Sequence, residues 1–504
     1  MANKESSNLY AVYARGFPPD PTATLLTTDS GQSYTYADAE RLSARVANCL
    51  LDIGLRAGDR VTVQVEKSPQ LLFLYLGVLR AGLVFHPLNT AYTREELQYF
   101  LQDAAPAAVV CDPAREALFE ELRGSAAGAK LMTLDSSGNG SLTAAAAGCA
   151  DQFVTVHNEP ADMAALLYSS GTTGRSKGIM LSHDNLGQNT RVLKDYWGFT
   201  GRDTLLHALP IFHVHGLFVA IGCVLMSGAG MRWLPAFHVE KVIQALPDCT
   251  VMMGVPTYYT RLLAEPSFGP DCCDGVRLFV SGSAPLLADT FEEFRRRTGK
   301  TILERYGMSE TGMNTSNPLQ GERRAGTVGL PLPGVSLRIV GPDGSELPPG
   351  QVGDIQVKGA NVFSGYWNLP EKTAEDFTAD GYFNTGDQGR VDADGYVAIV
   401  GRARDMIITG GLNVYPKEIE LLIDDIPGVR ESAVIGLPHP DFGEAVTAIV
   451  VPEPGAALEP GDIIAYLKQH AANFKIPKSV HLVESLPRNT MGKVQKNLLR
   501  AQFS

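Results

Sequence analysis

The sequence predicts an α/β protein, with a large N-terminal domain of helix-covered sheets plus a β-rich lobe, and a small α+β C-terminal domain. Three observations predict this class. Apolar strand patterns alternate with helical ones before residue 340, short strands and turns dominate after it, and a compact pattern of helices and strands follows Arg402. A chain of 504 residues is long enough for several domains. We therefore predict domains over 1–402 and 403–504.

The N-terminal alternation begins with a helix that Thr35 caps. The apolar residues of this helix recur at helical spacing, at Leu42, Val46, Leu50 and Ile53. A β-branched run over 61–65, a second helix around "LLFLYLGVLRAG" and the strand "LVFHPLN" continue the pattern. Residues 124–150 are rich in Gly, Ser and Ala, which predicts a surface excursion. The apolar run 217–230 is shorter than the roughly 20 residues that span a bilayer, so it predicts a buried core helix.

The sequence patterns of the rest of the chain predict hairpins and short elements. "VDADGYVAIVGR" has the turn and flanking residues of a β-hairpin. Pro416 suits the first turn of a helix whose apolar stripe consists of Ile419, Leu422, Ile423 and Ile426. "ESAVIGL" and "AVTAIVVPE" then predict strands, which completes a compact α+β domain.

Composition and charge exclude several classes of function. The net charge of −12 argues against a nucleic-acid binder, although Lys468 to Arg500 is a basic run with Glu484 as its only acid. Seven cysteines are scattered without metal-ligand spacing, which indicates reduced, intracellular thiols. The start "MANKESSNLY" has no apolar leader. We expect a cytoplasmic protein without a nucleic-acid or membrane partner, and no obligate protein partner is evident.

A glycine- and hydroxyl-rich segment, "YSSGTTGRSKG" at 168–178, follows an apolar strand. Glycines let backbone N–H groups approach phosphate oxygens, and the hydroxyls and Lys177 offer further donors. The segment is not a Walker A loop, because Ser176 and Gly178 break the GxxxxGK[ST] pattern. A solvated surface loop is the alternative to a phosphate site.

Five segments, "YSSGTTGRSKG", "RYGMSET", "NTGD", "VGRARD" and "PRNTMGK", resemble in order and spacing the motifs of AMP-forming acyl-CoA synthetases, the adenylating superfamily. The resemblance implies two half-reactions. A carboxylate attacks the α-phosphate of ATP and pyrophosphate leaves, and then the thiol of coenzyme A displaces AMP. It also implies that the C-terminal domain is mobile and rotates between the two steps.

The same resemblance assigns candidate nucleotide contacts. The triphosphate loop comprises Ser169, Ser170, Gly171, Thr172, Thr173, Gly174 and Lys177. Glu310 and Thr172 match the positions that hold Mg²⁺, and Thr311 matches a hydroxyl contact to the α-phosphate. Tyr306 joins the nucleotide contacts, Asp387 matches the residue that binds the ribose hydroxyls, and Arg402 matches a second ribose or phosphate contact. Taken singly, such an Asp is often a turn residue and such an Arg a solvated charge.

Further matches concern catalysis and movement. Lys493 matches the adenylation lysine, which bridges the substrate carboxylate and the α-phosphate. Arg404 matches the hinge, although the family more often has Asp or Lys there. Gly410 and Gly411 match the strand that lines the pantetheine tunnel.

"PIFHVHGL" places two histidines at an H-x-H spacing. His213 matches a position beside the acyl carboxylate, whereas His215 is expected to be structural. A metal site is disfavoured, because no third ligand lies nearby in the sequence.

Arg305 directly precedes a Tyr-Gly turn that, by the resemblance, lines the acyl pocket. A buried unpaired charge is strongly disfavoured against an alkyl tail, but a guanidinium binds a second carboxylate with two parallel hydrogen bonds. "ERYGMSETGMNTSNP", "LPIFHVHGLF" and "SGSAPLL", which contains Ser281, also resemble the malonate-activating members of the family. We therefore expect malonate as substrate, with Arg305 on its distal carboxylate and Ser281 in the pocket.

Alternatives remain at this point. Arg305 could instead pair with Glu304 on the surface, or Arg323 or Arg324 could bind the distal carboxylate. The acid could be methylmalonate, succinate or a short monocarboxylate. The acceptor could be a carrier protein, or the chain could bind adenylates without turnover, although retention of Lys493 disfavours that.

Overall fold

Two compact units make up the chain in this computed structural model, which describes residues 6–125, 128–169, 176–402, 405–409, 412–439, 443–471, 473–489 and 492–504. The first unit comprises residues up to 325 with 332–335 and 358–375, and the second comprises 326–331, 336–357 and 376–504. Compactness thus groups most of the β-rich lobe with the C-terminal residues. The expected division at residue 402 concerns a hinge between mobile parts and stays a prediction.

One sheet of the first unit holds mainly parallel strands. In spatial order they are Gly312–Ser316, Ile302–Met308, Leu278–Ser281, Val251–Gly254, Thr204–His207, Gly230–Trp233, Thr24–Thr28 and Ser33–Thr35. The first and last strands pair antiparallel with their neighbours, and the others pair parallel. "VMMG" and "LFVS" are buried throughout, as expected for strands covered on both faces.

The second sheet of this unit carries the strand that leads into the glycine-rich segment. Its order is Gly365–Tyr366, Gly178–Ser182, Met163–Tyr168, Val84–Pro87, Arg60–Gln64, Ala108–Cys111 and Lys130–Thr133. The expected surface excursion over 124–150 is wrong in part. Lys130–Thr133 extends the sheet by pairing parallel with Ala108–Cys111, and Ser141–Ala147 is a helix. Four residues were too short a pattern to predict this strand.

Helices of the first unit include the two that were predicted first. The helices are Leu9–Ala14, Tyr36–Asp52, Pro69–Arg80, Arg94–Ala104, Glu116–Leu122, Ser141–Ala147, His183–Tyr196, Gly222–Ser227, Val239–Ala245, Pro256–Ala264, Pro270–Cys273, Ala288–Thr298 and Pro370–Asp376. Thr35 caps its helix as predicted, in a capping box with Asp38. Within the described part of the chain, no helix is both long and apolar enough to cross a membrane.

The apolar run 217–230 is buried, as predicted, but it is not a single regular helix. Its first part belongs to a π-helical turn, His215–Ile221, which continues into Gly222–Ser227. Short π segments occur often at functional sites, because the wider turn re-aims the side chains near it. The sequence did not predict this turn, and His215 is its first residue.

The second unit contains two sheets. Ser336–Val340, Gly353–Lys358, Phe383–Val391 and Val397–Arg402 form one, and Leu412–Val414, Ile407–Thr409, Gly443–Pro452, Val429–His439 and Ser479–Leu482 form the other. The helices are Pro416–Asp424, Pro460–His470 and Lys496–Phe503. The predicted hairpin is confirmed, since Phe383–Val391 and Val397–Arg402 pair antiparallel. Pro416 begins its helix as expected.

Candidate active site

The stretch 302–316 is a hairpin of the first unit that carries several predicted site residues. Gly307 must lack a side chain, because a Cβ there would lie 2.0 Å from the carbonyl oxygen of Gly312. Asn189 holds the hairpin from the side: its Nδ2 donates to Met313 O and its Oδ1 accepts from Met313 N, both at 3.0 Å. The turn between the two strands is therefore fixed in place.

Two of the predicted motifs meet in the first unit around Tyr366. The Lys177 ammonium lies 4.4 Å from the Tyr366 ring centre, and the Tyr366 hydroxyl lies 3.5 Å from Glu310 Oε1. Glu310 is 7% exposed, and its carbonyl oxygen accepts from Phe363 N at 2.7 Å. The glycine-rich segment and the hairpin turn thus converge, although more than 130 residues separate Lys177 from Glu310.

The ends of the glycine-rich segment are joined by two hydrogen bonds. Ser169 N donates to Lys177 O, and Lys177 N donates to Ser169 Oγ, each at 3.0 Å. The intervening candidates Ser170, Gly171, Thr172, Thr173 and Gly174 lie outside the described residues. The two described ends of the segment are therefore held together, and the phosphate contacts of the segment stay a prediction.

A magnesium site was expected at Glu310 and Thr172, of which only Glu310 is described. Within the described ranges no group of three or more His, Cys, Asp or Glu side chains could hold a metal ion. Mg²⁺ in nucleotide sites is commonly held by one or two carboxylates together with phosphate oxygens and water. The carboxylate of Glu310, which contacts the same Tyr366 side chain as Lys177, fits that requirement.

The two other hairpin candidates are Thr311 and Tyr306. Thr311 is fully buried, and its hydroxyl accepts from Asn314 Nδ2 at 2.8 Å, which leaves its hydrogen available to another acceptor. Tyr306 is partly exposed and pairs in register with Thr315. Their nucleotide contacts stay predictions.

Arg305 is buried in the same hairpin, with an exposed fraction of 3%. Its Nε and Nη2 have no hydrogen-bond partner among the described residues, and burial lowers the pKa of this guanidinium to about 10. The surface ion pair with Glu304 is therefore wrong. Glu304 instead accepts from Leu286 N at 3.0 Å. The buried guanidinium retains two donors for an anionic ligand.

The competing arginines have other partners. Arg323 donates to the carbonyl oxygens of Pro318, Thr301 and Leu319, and Arg324 lies 2.9 Å from Glu322. Of Arg305, Arg323 and Arg324, only Arg305 is buried with side-chain donors that lack a partner among the described residues.

The segment 281–283 forms one wall around Arg305. A Cβ on Gly282 would lie 2.4 Å from Arg305 Cζ, so the guanidinium packs directly on a backbone without a side chain. Ser281 is fully buried and its hydroxyl has no partner among the described residues. Ser283 adopts a left-handed backbone conformation, with φ of 73°, which is uncommon for serine and typical of binding sites.

Histidines adjoin this wall. The Ser283 hydroxyl lies 3.3 Å from His215 Nδ1, and burial, with the Arg305 charge as a further cause, holds the pKa of His215 well below its usual range. Burial also lowers the pKa of His213 to about 4, so both rings are neutral near pH 7. Neutral imidazoles can line a pocket for a carboxylate without adding charge. His215 thus supports the wall, as its expected structural role requires.

In the second unit, Asp387 and Arg402 face each other across the predicted hairpin. Arg402 Nε lies 2.6 Å from Asp387 Oδ1, and the Asp387 side chain is only 6% exposed. The structure thus brings together two residues that were predicted separately as ribose contacts. The remaining candidates of this unit, Arg404, Gly410 and Gly411, lie outside the described residues.

Lys493 is partly exposed and lies in a tight turn of the second unit. Asn489 Oδ1 accepts from Lys493 N, and Asn489 N donates to Lys493 O, both at 2.9 Å. The basic run around it is largely neutralised by acids from earlier in the chain, in the pairs Lys475–Glu418, Arg488–Glu431, Lys496–Glu420 and Arg500–Asp405. The expected basic patch is therefore smaller than the sequence suggested.

Comparison with known proteins gives the family. Residues 12–367 match the family described as AMP-binding enzyme, and residues 418–493 match the AMP-binding enzyme C-terminal domain. The chain belongs to the AMP-binding enzyme family. This confirms the resemblance that the five motifs indicated.

Relatives of this AMP-binding enzyme differ in the acids that they are named for. It is 34% identical to the malonate–CoA ligase of Arabidopsis thaliana, over 99% of this chain and 90% of that one. It is 35% identical to the feruloyl-CoA synthase of an Amycolatopsis species, with 94% of each chain covered. The crystal structure of ATP-bound MatB from Rhodopseudomonas palustris superposes with a TM-score of 0.97 and 52% identity, over 99% of each chain, which confirms the predicted α/β fold class.

A buried lysine of this AMP-binding enzyme was not predicted from the sequence. Lys67 Nζ donates to His207 Nδ1, His207 O and Leu234 O at 2.7–2.8 Å and lies 4.4 Å from the Trp233 ring centre. His207 Nε2 lies 2.9 Å from Gly216 O, so this cluster holds the π-helical turn that follows His213. A lysine directly before the helix-capping Ser68 was the only signal, and it did not reveal a partner 140 residues away.

Proposed function

We propose that this protein is an ATP-dependent malonate–CoA ligase, which joins malonate to coenzyme A through malonyl-adenylate and releases AMP and pyrophosphate. The observation that carries the proposal is the buried guanidinium of Arg305, with Nε and Nη2 unpartnered among the described residues. Family membership supports the adenylation chemistry, but relatives that are 34% and 35% identical are named for malonate and for ferulate, respectively. The residues of the acyl pocket must therefore decide the acid.

Charge and hydrogen-bonding geometry both favour a dianion. A planar guanidinium matches a carboxylate with two parallel N–H···O bonds, and a buried charge without such a partner is disfavoured. The Ser281 hydroxyl adds another unpartnered buried group, and Gly282 lets the ligand-binding guanidinium approach the backbone. An alkyl or aromatic acid would leave these groups unsatisfied, whereas the distal carboxylate of malonate satisfies them.

The proposed mechanism assigns each step to residues of this chain. The proximal malonate oxygen attacks the α-phosphorus of ATP, and the bond to the bridging oxygen of pyrophosphate breaks. Mg²⁺, when bound at Glu310, neutralises phosphate charge. Ser169, Lys177 and the residues between them would hold the triphosphate, Asp387 with Arg402 would bind the ribose, and Lys493 would offset the charge that develops at the α-phosphate. The thiol of coenzyme A then attacks the acyl carbon, and AMP leaves.

Other acids and acceptors are distinguished by one set of assays. Malonate, methylmalonate, succinate and propionate are compared with ATP and coenzyme A by AMP and pyrophosphate release, with a holo carrier protein as alternative acceptor. We expect the largest kcat/KM for malonate with free coenzyme A. Release of ADP and phosphate would contradict the adenylation chemistry, and a preference for propionate would contradict the role of Arg305. A cytoplasmic location is part of the proposal, since the seven cysteines are free.

Lys493→Ala tests the assignment of the adenylation lysine. In the family this lysine serves the first half-reaction only, so the variant should nearly abolish adenylate formation but spare thioester formation from supplied malonyl-adenylate. Both half-reactions are followed separately, by pyrophosphate release and by malonyl-CoA. An equal loss in both would assign Lys493 to folding or to the coenzyme A site instead.

A further inference from the structure

We infer that Glu420 and Lys496 are positioning residues for Lys493: their buried ion pair holds the turn that carries this lysine against the core of the second unit. The inference rests on the proposed function, in which Lys493 acts in adenylate formation. Neither residue belongs to one of the five family motifs, and neither is expected to touch a substrate.

The Lys493 turn, of which Arg488, Asn489 and 492–494 are described, contains several local backbone contacts. Arg488 and Val494 form an isolated antiparallel bridge, and Gly492 N donates to Asn489 O at 2.9 Å with Gly492 at a positive φ of 74°. Together with the Asn489–Lys493 bonds, these contacts set the shape of the turn. Its attachment to the rest of the unit comes from residues at its two ends: Arg488 pairs with Glu431, and Lys496 follows Val494 by two positions.

Lys496 provides such an attachment three positions after Lys493. It is the first residue of the helix Lys496–Phe503, which has no acidic residue in its first turn and no side-chain N-cap. A cation at a helix N-terminus opposes the helix dipole, so Lys496 does not stabilise its own helix. Its Nζ lies 2.5 Å from Glu420 Oε1 instead. The position of Lys496 at this helix N-terminus is therefore best explained by its ion pair with Glu420.

Glu420 links three elements of the second unit. It lies on the helix Pro416–Asp424, is 7% exposed, and its Oε1 also accepts from Val434 N, in the strand Val429–His439, at 2.9 Å. Burial alone would raise the pKa of this carboxyl, but Lys496 and Lys417 hold it below its usual value. An ionised, buried carboxylate with fixed partners is a rigid anchor, since moving Lys496 away would leave its charge uncompensated.

A matched ion pair on the same helix serves as the control. Glu418 lies 2.5 Å from Lys475, but the Glu418 side chain is 43% exposed, and Lys475 ends the short turn Asn473–Lys475 rather than adjoining Lys493. Both pairs join a glutamate of Pro416–Asp424 to a lysine of the basic run. Only the Glu420–Lys496 pair is buried and next to the Lys493 turn.

The test measures both half-reactions of the full-length enzyme in Lys496→Met, Glu420→Gln, Glu418→Gln and Lys475→Met. We expect Lys496→Met and Glu420→Gln to slow adenylate formation at least tenfold while thioester formation from supplied malonyl-adenylate stays within twofold of wild type. Lys496→Arg should retain most adenylate formation, because an arginine at this position can also form an ion pair with Glu420. The two control variants should leave both half-reactions within twofold.

Folding is separated from positioning by a double variant. Glu420→Leu with Lys496→Met replaces the buried pair by apolar side chains and should keep the unit folded by circular dichroism while adenylate formation stays low. Adenylate formation within twofold of wild type in folded Lys496→Met, or an equal loss in both half-reactions, would overturn the inference. Lys493→Ala is measured in parallel. Normal adenylate formation in this variant would refute the catalytic assignment of Lys493, but not the inference that the Glu420–Lys496 pair holds the turn.

Discussion

Replacing Arg305 by methionine should lower the activity with malonate and raise the stability of the ligand-free protein. The change keeps a long side chain in the space beside Gly282. It removes the positive charge of a residue that is only 3% exposed. Because Nε and Nη2 have no partner among the described residues, the ligand-free enzyme contains an unsatisfied buried cation. Arg305→Met removes the free-energy cost of burying that cation.

The magnitudes follow from the burial of the guanidinium. Losing one partner of a buried charged hydrogen-bonded pair costs about 2–5 kcal/mol, so kcat/KM for malonate should fall roughly 30-fold to several thousandfold. Propionate has no distal carboxylate, and its kcat/KM should change by about threefold at most, since no such pair is lost. A buried unsatisfied donor costs about 1–3 kcal/mol or more, so ligand-free Arg305→Met should be more stable by a similar amount.

Two measurements check this prediction. AMP release gives kcat/KM for malonate and propionate, and urea unfolding with and without malonate gives the stability and its dependence on ligand. Malonate should stabilise the wild type but not Arg305→Met. Arg305→Lys should recover only part of the malonate activity, because an ammonium lacks the planar pair of donors. A folded Arg305→Met variant with malonate activity within twofold of wild type would refute the role of Arg305.

Three other substitutions test particular contacts. Gly282→Ala places a Cβ 2.4 Å from Arg305 Cζ, so malonate kcat/KM should fall at least tenfold while propionate is little affected. Asp424→Asn should stabilise the protein in urea at pH 8 but hardly at pH 4, because burial raises the pKa of Asp424 from 3.8 to about 6. Lys67→Met leaves three buried acceptors without their donor and should destabilise the first unit by roughly 3 kcal/mol, seen as a lower urea midpoint.

The sign of the Asp424 effect follows from linkage. Its folded-state pKa lies above the unfolded value, so its contribution to stability is fully present below pH 3.8 and is lost as the pH rises towards about 6. Lys417 and Ser432 oppose the rise, and Glu420 and Glu431 add to it. An asparagine mimics the protonated carboxyl at every pH. Equal stabilisation at pH 4 and pH 8 would contradict this assignment.

Controls exist for the other two substitutions. Gly269→Ala adds a Cβ with nothing within 4 Å, and it should leave kcat/KM unchanged for both acids. Lys241→Met breaks an exposed ion pair with Asp29, which is worth about 1 kcal/mol or less. If Lys67→Met destabilised the protein no more than Lys241→Met, the three hydrogen bonds of Lys67 would contribute little to stability.

Local patterns predicted the fold class and most of the elements around the site. The Thr35 cap, the hairpin that ends at Arg402 and the helix that begins at Pro416 all depend on neighbours within a few residues, and all are confirmed. The strand Lys130–Thr133 was missed, because a short edge strand depends on the partner that it extends.

Chemistry that depends on distant partners was predicted less completely. The sequence indicated that Arg305 needs an anion, since its motif and charge are both local. It could not show that Lys67 meets His207 or that Lys496 meets Glu420, because those pairs form only when separate elements pack. The structural role of each of these lysines therefore depends on the position of its partner, which only the structure shows.

The Asn189 contacts bear on how the acid preference of this protein could be redesigned. Asn189 lies on the helix His183–Tyr196, which begins directly after the strand Gly178–Ser182, yet it bonds the backbone of the hairpin that carries Arg305. Exchanging the hairpin alone for that of a relative would keep these bonds only if the new backbone took the same course at position 313. The smallest interchangeable module is therefore the helix together with the hairpin, and chimeras should not be joined between residues 196 and 302.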